Sequence, residues 1–367
     1  MQGTKVFCAV PDLQPRLAVL GVFTAEGNAD RRVAIRSSWL NSSNAWSEAG
    51  GGQIAVRFVA RGLGDTPRLD MENKEHADTV LLRAPAHMPR NNGPLLSLIH
   101  WFQCAVTAWP RAQLIGKADD DVWVHLDATA AHLRGSLAAL RPMLPPGDGD
   151  DAAPRMLWGM METFGWSLTS HRPQGFAYKY GGRQSKCRDR MHNESFVYPV
   201  HFAKGPMYFV SASMVAQLAA DPNVTAYAMV AAASANYSHK SMKLPWEDVF
   251  TGLVLTRAVS GRGAAYVHMG AAVMTEGFGP YAKSGFGRNT LLFHTNTARA
   301  RETTGPNGLV AKTRWALARH CNGSRATLRC DRDIVSCRGM VWKRCLHVHN
   351  YSACPVGHAS LFGHGNT

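Results

Sequence analysis

Acidic residues are scarce in this chain. Its 367 residues hold 26 Asp and Glu against 40 Lys and Arg, a formal net charge of +14. Charged residues of both signs make up only 18% of it, whereas 46% are hydrophobic. That balance excludes a disordered tail, and the length excludes a small disulfide scaffold. Long apolar runs are missing as well. The longest near the start, Leu17 to Ala25, covers nine residues, against about twenty needed to cross a bilayer. Met1 to Val10 has neither the basic nor the apolar region of a signal peptide. No two cysteines form a Cys-x-x-Cys pair, which argues against a zinc knuckle, and no internal repeat is present.

The charge that is there lies unevenly. Between Arg299 and Arg344, eleven Lys and Arg face only Glu302, Asp331 and Asp333, so eight of the fourteen net charges fall in that stretch. So strong a surplus implies an anionic partner: nucleic acid, a membrane surface or a phosphate-bearing substrate. The arginines form no recognised nucleic-acid motif or aromatic platform, so nucleic acid is not the expected partner. Five of the eight cysteines (Cys321, Cys330, Cys337, Cys345 and Cys354) lie in the same region. Their spacing of seven to nine residues suits a disulfide-stapled segment in an oxidising compartment, with buried reduced thiols as the alternative. Asn-x-Ser/Thr sequons at Asn41, Asn193, Asn223, Asn236, Asn322 and Asn350 point the same way. Either the protein is cytoplasmic or a membrane anchor lies upstream of Met1, and the expectation is the second, a luminal protein.

Short apolar runs alternate with helical patterns through the first third of the chain. Arg16 to Thr24, Ile54 to Ala60, Thr79 to Leu82 and Gln113 to Ala118 read as strands. Asp30 to Leu40 reads as a helix with Asp30 as N-cap and Val33, Ile35 and Trp39 as its apolar residues. Pro94 to Ala108 carries Leu95, Leu98, Ile99, Phe102 and Val106 at helical spacing, with Pro94 in its first turn. The Pro-, Gly- and Asp-rich stretch from Pro142 to Pro154 is a loop. After it, Met156 to Met160 and Met207 to Ser211 read as strands, Ser213 to Ala220 and Glu247 to Ala258 as helices. Such alternation predicts an α/β domain with a mostly parallel sheet.

Asp119-Asp120-Asp121 is the sharpest local feature. It ends one apolar strand, at the edge where open α/β sheets collect ligands, and precedes Val122-Trp123-Val124. Residues two apart in extended backbone face the same way, so Asp119 and Asp121 can present oxygens to one ion. Hard carboxylate ligands suit Mg²⁺ or Mn²⁺, which can bridge a diphosphate. A solvated acidic turn is the bland alternative. Lys117, just upstream, is available to a carboxylate or a phosphate. A second acidic pair, Glu247-Asp248, opens a predicted helix. There it serves either as a cap and dipole partner or as a general base.

Four segments, in order, resemble the β-1,3-glycosyltransferases of glycosyltransferase family 31. They are Arg31-Arg32-Val33-Ala34-Ile35-Arg36-Ser37-Ser38-Trp39; Lys117-Ala118-Asp119-Asp120-Asp121-Val122-Trp123-Val124; Tyr198-Pro199 with Gly205-Pro206-Met207-Tyr208-Phe209-Val210-Ser211; and Glu247-Asp248-Val249-Phe250-Thr251-Gly252. The resemblance implies a GT-A fold, a Rossmann-like mixed and mostly parallel sheet flanked by helices, over residues 16–302. Residues 1–15 precede it and 303–367 form a basic, disulfide-bearing extension, loosely similar to that of protozoan phosphoglycan β-1,3-galactosyltransferases. It further implies an inverting hexosyltransferase that moves galactose or N-acetylglucosamine from a UDP-sugar to a glycan acceptor, with Mn²⁺, in the Golgi lumen as a type II membrane protein.

Carried across, Asp119 and Asp121 become the metal-binding Asp-x-Asp, Asp121 the direct ligand, and His294 adds an imidazole, with His268 as runner-up. Asp248 becomes the base, with Glu247 second. Phe23, Thr24, Arg32, Arg36, Lys117, Asp119 and Asp120 come to lie near the nucleotide. Two departures bear on sugar identity: Ala84 to Gly93 replaces the family's Asp-Ser-Tyr block, and Met207 stands where the family has a glycine. The rivals are a glycosidase, which needs two carboxylates but no nucleotide, and a non-catalytic glycan- or nucleotide-binding relative with a degenerate donor site. An anionic acceptor glycan is the expected partner of the basic tail.

Overall fold

β1 (Arg16–Phe23) is buried along nearly its whole length, as its unbroken apolar run requires of a strand covered on both faces. In the computed structural model it is flanked in parallel by β2 (Ile54–Gly62) and β4 (Ala112–Asp119), and β3 (Thr79–Arg83) adds outside β2. The structure describes residues 11–43, 45–46, 52–63, 66–88, 92–144, 153–167, 172–176, 196–233, 247–258, 264–269, 274–276, 291–294, 325–335 and 341–350. The parallel order β3-β2-β1-β4 is what alternating strands and helices predict.

Beyond β4 the sheet changes character. β8 (Phe196–Ser211) pairs antiparallel with β4, β6 (Met156–Ser167) antiparallel with β8, and β9 (Ala264–His268) parallel with β6. β13 (Val341–Asn350) runs parallel to β9 and β12 (Arg325–Val335) antiparallel to β13, while β7 (Arg172–Phe176) pairs off the path with β6. The ten strands therefore form a mixed sheet, parallel only from β3 to β4 and around β9. This is the mixed, mostly parallel sheet expected; β8 interrupts the parallel run by entering against the direction of both its neighbours. The tail contributes β12 and β13 to this sheet. Their side chains, and the disulfides expected among them, lie outside the described residues. Cys104 is disulfide-bonded.

A second, three-stranded sheet has the order β10-β11-β5, with β5 (Val122–Val124), β10 (Met274–Glu276) and β11 (Leu292–His294). β5 follows β4 after a two-residue turn, so the chain leaves one sheet for the other at Asp120-Asp121.

Among the described residues the helices are α1 (Ala29–Ile35), α2 (Pro67–His76), α3 (Asn92–Ala108), α4 (Leu126–Leu140), α5 (Ala212–Ala220), α6 (Pro222–Ala233) and α7 (Glu247–Ala258). α1 runs on as a π-helical segment, Arg36–Leu40. Asp30 sits inside its first turn; Asn28 occupies the cap position, without a side-chain cap bond. The face read as apolar is also reversed in part. Val33 is 50% exposed whereas Arg31 and Arg32 are buried, because both arginines have carboxylates to meet inside the fold. Successive strand residues point to opposite faces, and two core clusters result. One holds Leu20, Trp39, Phe58, Trp123, Trp158 and Phe209; the other holds Val19, Trp101, Phe102, Ile115, Tyr208 and Phe250. Trp101 packs against Gly21, where any Cβ would come within 2.6 Å of its ring, and its Nε1 donates to Gly116 O at 2.9 Å. Among the described residues no helix is long and apolar enough to cross a membrane.

Candidate active site

β1 and β4 end side by side. Phe23 pairs with Asp119 in their register, so Thr24 and Asp120 emerge together at the carboxyl edge of the sheet. Here the three adjacent carboxylates part company. Asp120 turns inward and is 5% exposed. Its Oδ2 accepts from Thr24 Oγ1 at 2.7 Å and from Asn28 Nδ2 at 2.8 Å, and its Oδ1 pairs with Arg31. With both oxygens engaged, Asp120 anchors the turn. Asp119 and Asp121 are left to face outward.

β11 supplies what they face. It pairs antiparallel with β5 and sets His294 opposite Val122, one residue beyond Asp121. His294 Nε2 lies 3.2 Å from Asp121 Oδ1. One ligand atom from each of Asp119, Asp121 and His294 fits within 4.8 Å of the others. Two carboxylates and an imidazole form a donor set that suits Mn²⁺ or Mg²⁺, so these residues fit the ion expected of them. Burial would raise the Asp121 carboxyl, but His294 overcomes this and holds it below its ordinary value. Asp119 is pushed up to about 6 by burial, against the pull of Lys117. A bound divalent cation would reverse that shift. The runner-up, His268, is spent on structure: its Nδ1 accepts from Met161 N at 3.0 Å.

Lys117 lies behind the pair, 2% exposed. Its ammonium reaches Asp119 Oδ1 at 2.6 Å, Glu247 Oε1 at 2.9 Å and Gly205 O at 2.5 Å. Burial would lower its pKa, but Asp119 and Glu247 outweigh this and keep it protonated. It also lies 5.6 Å from the centroid of the Phe23 ring. Three donors meet three acceptors, so none remains for a phosphate.

Glu247 and Asp248 open α7, close to β8. Gly252, one turn further on, lies so near His201 O and Phe202 that no Cβ fits there, which accounts for the glycine of the fourth motif. Thr251 Oγ1 sits 3.2 Å from Tyr208 OH, tying the same turn to β8. The two carboxylates are thereby separated in role. Glu247 is bound to Lys117. Asp248 accepts only from Val249 N, at 2.7 Å, among the described residues, and takes no ion pair there. Partial burial and the charge of Glu247 push Asp248 up to about 7.

Arg32 and Arg36, expected beside a nucleotide, have their guanidiniums committed elsewhere. Arg32 pairs with Glu72 at 2.7 Å and donates to Ala25 O at 2.6 Å; Arg36 pairs with Asp78 at 2.8 Å and with Glu72 at 2.6 Å. They bind α1 to α2 and to the start of β3. Met207, in place of the family glycine, packs within the core. Arg31, Asn28 and Gly205 were not among the expected site residues, although Arg31 and Gly205 stand in the quoted motifs. The only signal for Arg31 was its place in the Arg-rich first motif, which does not say which arginine turns toward the triplet.

Residues 30–142 match the family model described as galactosyltransferase, a stretch that contains the first two motifs. The chain is 33% identical over 141 residues to β-1,3-galactosyltransferase 6 of Mus musculus, covering 37% of this chain and 41% of that protein. It is 30% identical over 132 residues to a hydroxyproline O-galactosyltransferase of Arabidopsis thaliana, covering 33% of this chain and 38% of that protein. The chain thus spans about two fifths of the length of these curated relatives. Among solved structures it is similar to mouse xyloside xylosyltransferase 1, with a TM-score of 0.34, 10% identity, and coverage of 77% of this chain and 98% of that one. The stretch from 30 to 142, which carries the Arg-rich helix and the acidic triplet, is the part of the chain that is similar to galactosyltransferases.

Proposed function

We propose that the chain is an inverting glycosyltransferase of GT-A type that transfers galactose from a UDP-sugar to a glycan acceptor in β-1,3 linkage. The observation that carries this reading is the convergence of Asp119, Asp121 and His294 at the strand edge, with Asp248 across Lys117 and Glu247. Asp119, Asp121 and His294 would hold Mn²⁺, which supplies charge stabilisation to the departing diphosphate. Asp248 accepts the proton of the acceptor hydroxyl as that oxygen attacks the anomeric carbon opposite the leaving group. Its raised pKa keeps it a strong enough base to do so near neutrality. Arg31, through Asp120, keeps the turn in the form that presents the other two carboxylates.

The galactose assignment leans on the family of residues 30–142 and on the named relatives; N-acetylglucosamine is the second donor to test. The sequons and the cysteine-rich tail support a luminal, Golgi setting. The basic tail suits an anionic acceptor.

The test is UDP release from UDP-galactose and from UDP-N-acetylglucosamine, with Mn²⁺ and a panel of galactose- and N-acetylglucosamine-terminated acceptors. Acceptor-dependent release that Asp121→Ala and Asp248→Asn each abolish is the expected result. Hydrolysis of a glycan without nucleotide would overturn it in favour of a glycosidase. If UDP fails to raise the melting temperature in Mn²⁺ and no donor is turned over, the non-catalytic relative is left.

A further inference from the structure

Lys117 joins three parts of the chain at one point: the end of β4 through Asp119, β8 through Gly205 O, and the first turn of α7 through Glu247. A buried ammonium with all three donors used is fixed in place, since loss of any partner leaves a desolvated charge. Its arrangement is also unbalanced, with two carboxylates sharing one cation. One of the two belongs to the candidate metal site. The other precedes the candidate base. Gly205 leaves this arrangement little slack, because a Cβ there would sit 3.3 Å from Glu247 Oε1 and 3.5 Å from Lys117 Nζ.

We infer that Lys117 is a positioning residue that couples the cation site at the end of β4 to the base-bearing first turn of α7, through competition of Asp119 and Glu247 for its ammonium. A divalent ion that draws on the Asp119 carboxylate loosens its hold on Lys117. The ammonium then binds Glu247 more firmly, and the turn carrying Asp248 is held for the acceptor. The reverse also follows, since coupling between two sites is reciprocal. A Glu247 that cannot compete leaves Lys117 wholly to Asp119 and makes Asp119 a poorer ligand.

The inference rests on the cation site proposed above, and the experiment separates the two. Mn²⁺ is titrated into the full chain, first alone and then with UDP, and free Mn²⁺ is read by electron paramagnetic resonance. Glu247→Gln, which touches no proposed metal ligand, is expected to weaken Mn²⁺ binding by roughly fivefold or more, the scale of ordinary coupling between sites. In a Lys117→Met background the same substitution is expected to change it by less than about twofold, because neighbouring residues that act through each other are not additive. If the Glu247→Gln effect persists undiminished without Lys117, it is through-space electrostatics and the coupling is wrong. If Lys117→Met does not fold, Gly205→Ala answers the question instead. It crowds the Lys117–Glu247 contact without altering any charge, and unchanged Mn²⁺ affinity in that variant overturns the inference. Wild-type protein that binds no Mn²⁺ under either condition overturns the cation site and the coupling together. Mn²⁺ binding that Glu247→Gln leaves untouched overturns the coupling alone.

Discussion

His294 Nε2 lies 3.2 Å from Asp121 Oδ1, although the two residues stand in different elements far apart in sequence. The antiparallel register of β5 and β11, with Val122 opposite His294, is what brings them together. The imidazole is thus placed by sheet pairing, and a single backbone slip would turn it to the other face. His294→Ala is expected to weaken Mn²⁺ binding by roughly 10-fold or more, on the scale seen when groups around a metal are removed. Mn²⁺ titration of the folded variant reads this directly, and unchanged affinity would remove His294 from the site.

Arg31 and Asp120 form a buried ion pair, 8% and 5% exposed. Removing one member of such a pair strands the other, at a cost of about 3–5 kcal/mol. Arg31→Met should therefore lower stability by that order in urea unfolding. Arg31→Met with Asp120→Asn should recover part of the loss, because no buried charge is then unpaired. Equal stability of the single and double variants would contradict the arrangement.

Asp248 stands at about 7 because of burial first and the charge of Glu247 second. A base acts in its ionised form, so kcat/KM should rise with pH through this region and level off above it. Glu247→Gln removes the neighbouring negative charge, and the acid limb should move to lower pH. A shift upward would mean that the limb belongs to another group.

Gly252 faces His201 O with no room for a methyl group. Gly252→Ala must push α7 off β8, and overpacking of this kind costs about 1–3 kcal/mol. The melting temperature should fall and kcat with it, since Glu247 and Asp248 ride on the same helix. Full activity in a destabilised variant would show that the start of α7 does not follow its second turn.

Much of this was legible from local sequence. β1, β4 and α3 announce themselves by unbroken or periodic apolar runs, and the acidic triplet by its place at a strand end. α2 was not legible, because it buries only Leu69 and leaves its other large apolar side chain, Met71, exposed. α4 is capped by His125, whose Nδ1 accepts from Ala128 N at 3.4 Å, a cap from a residue type that gives no start signal. The division of labour within the site was hidden for a different reason. Which of three adjacent aspartates turns inward depends on Arg31 and Thr24, and which of two acids stays unpaired depends on Lys117. Those partners are set by tertiary register, and no spacing along the chain reveals them.

β13 covers the outer edge of β9 along five paired positions, from Trp342 opposite Ala264 to Leu346 opposite His268. The last strands of a basic tail thereby cap the sheet that carries the acidic site. Trimming the chain after residue 302 would not free an independent catalytic unit. It would bare the backbone N–H and C=O groups of β9, a ready template for a strand from another molecule. A shortened protein of this kind is expected to aggregate, and its loss of activity would then speak about sheet edges rather than about chemistry.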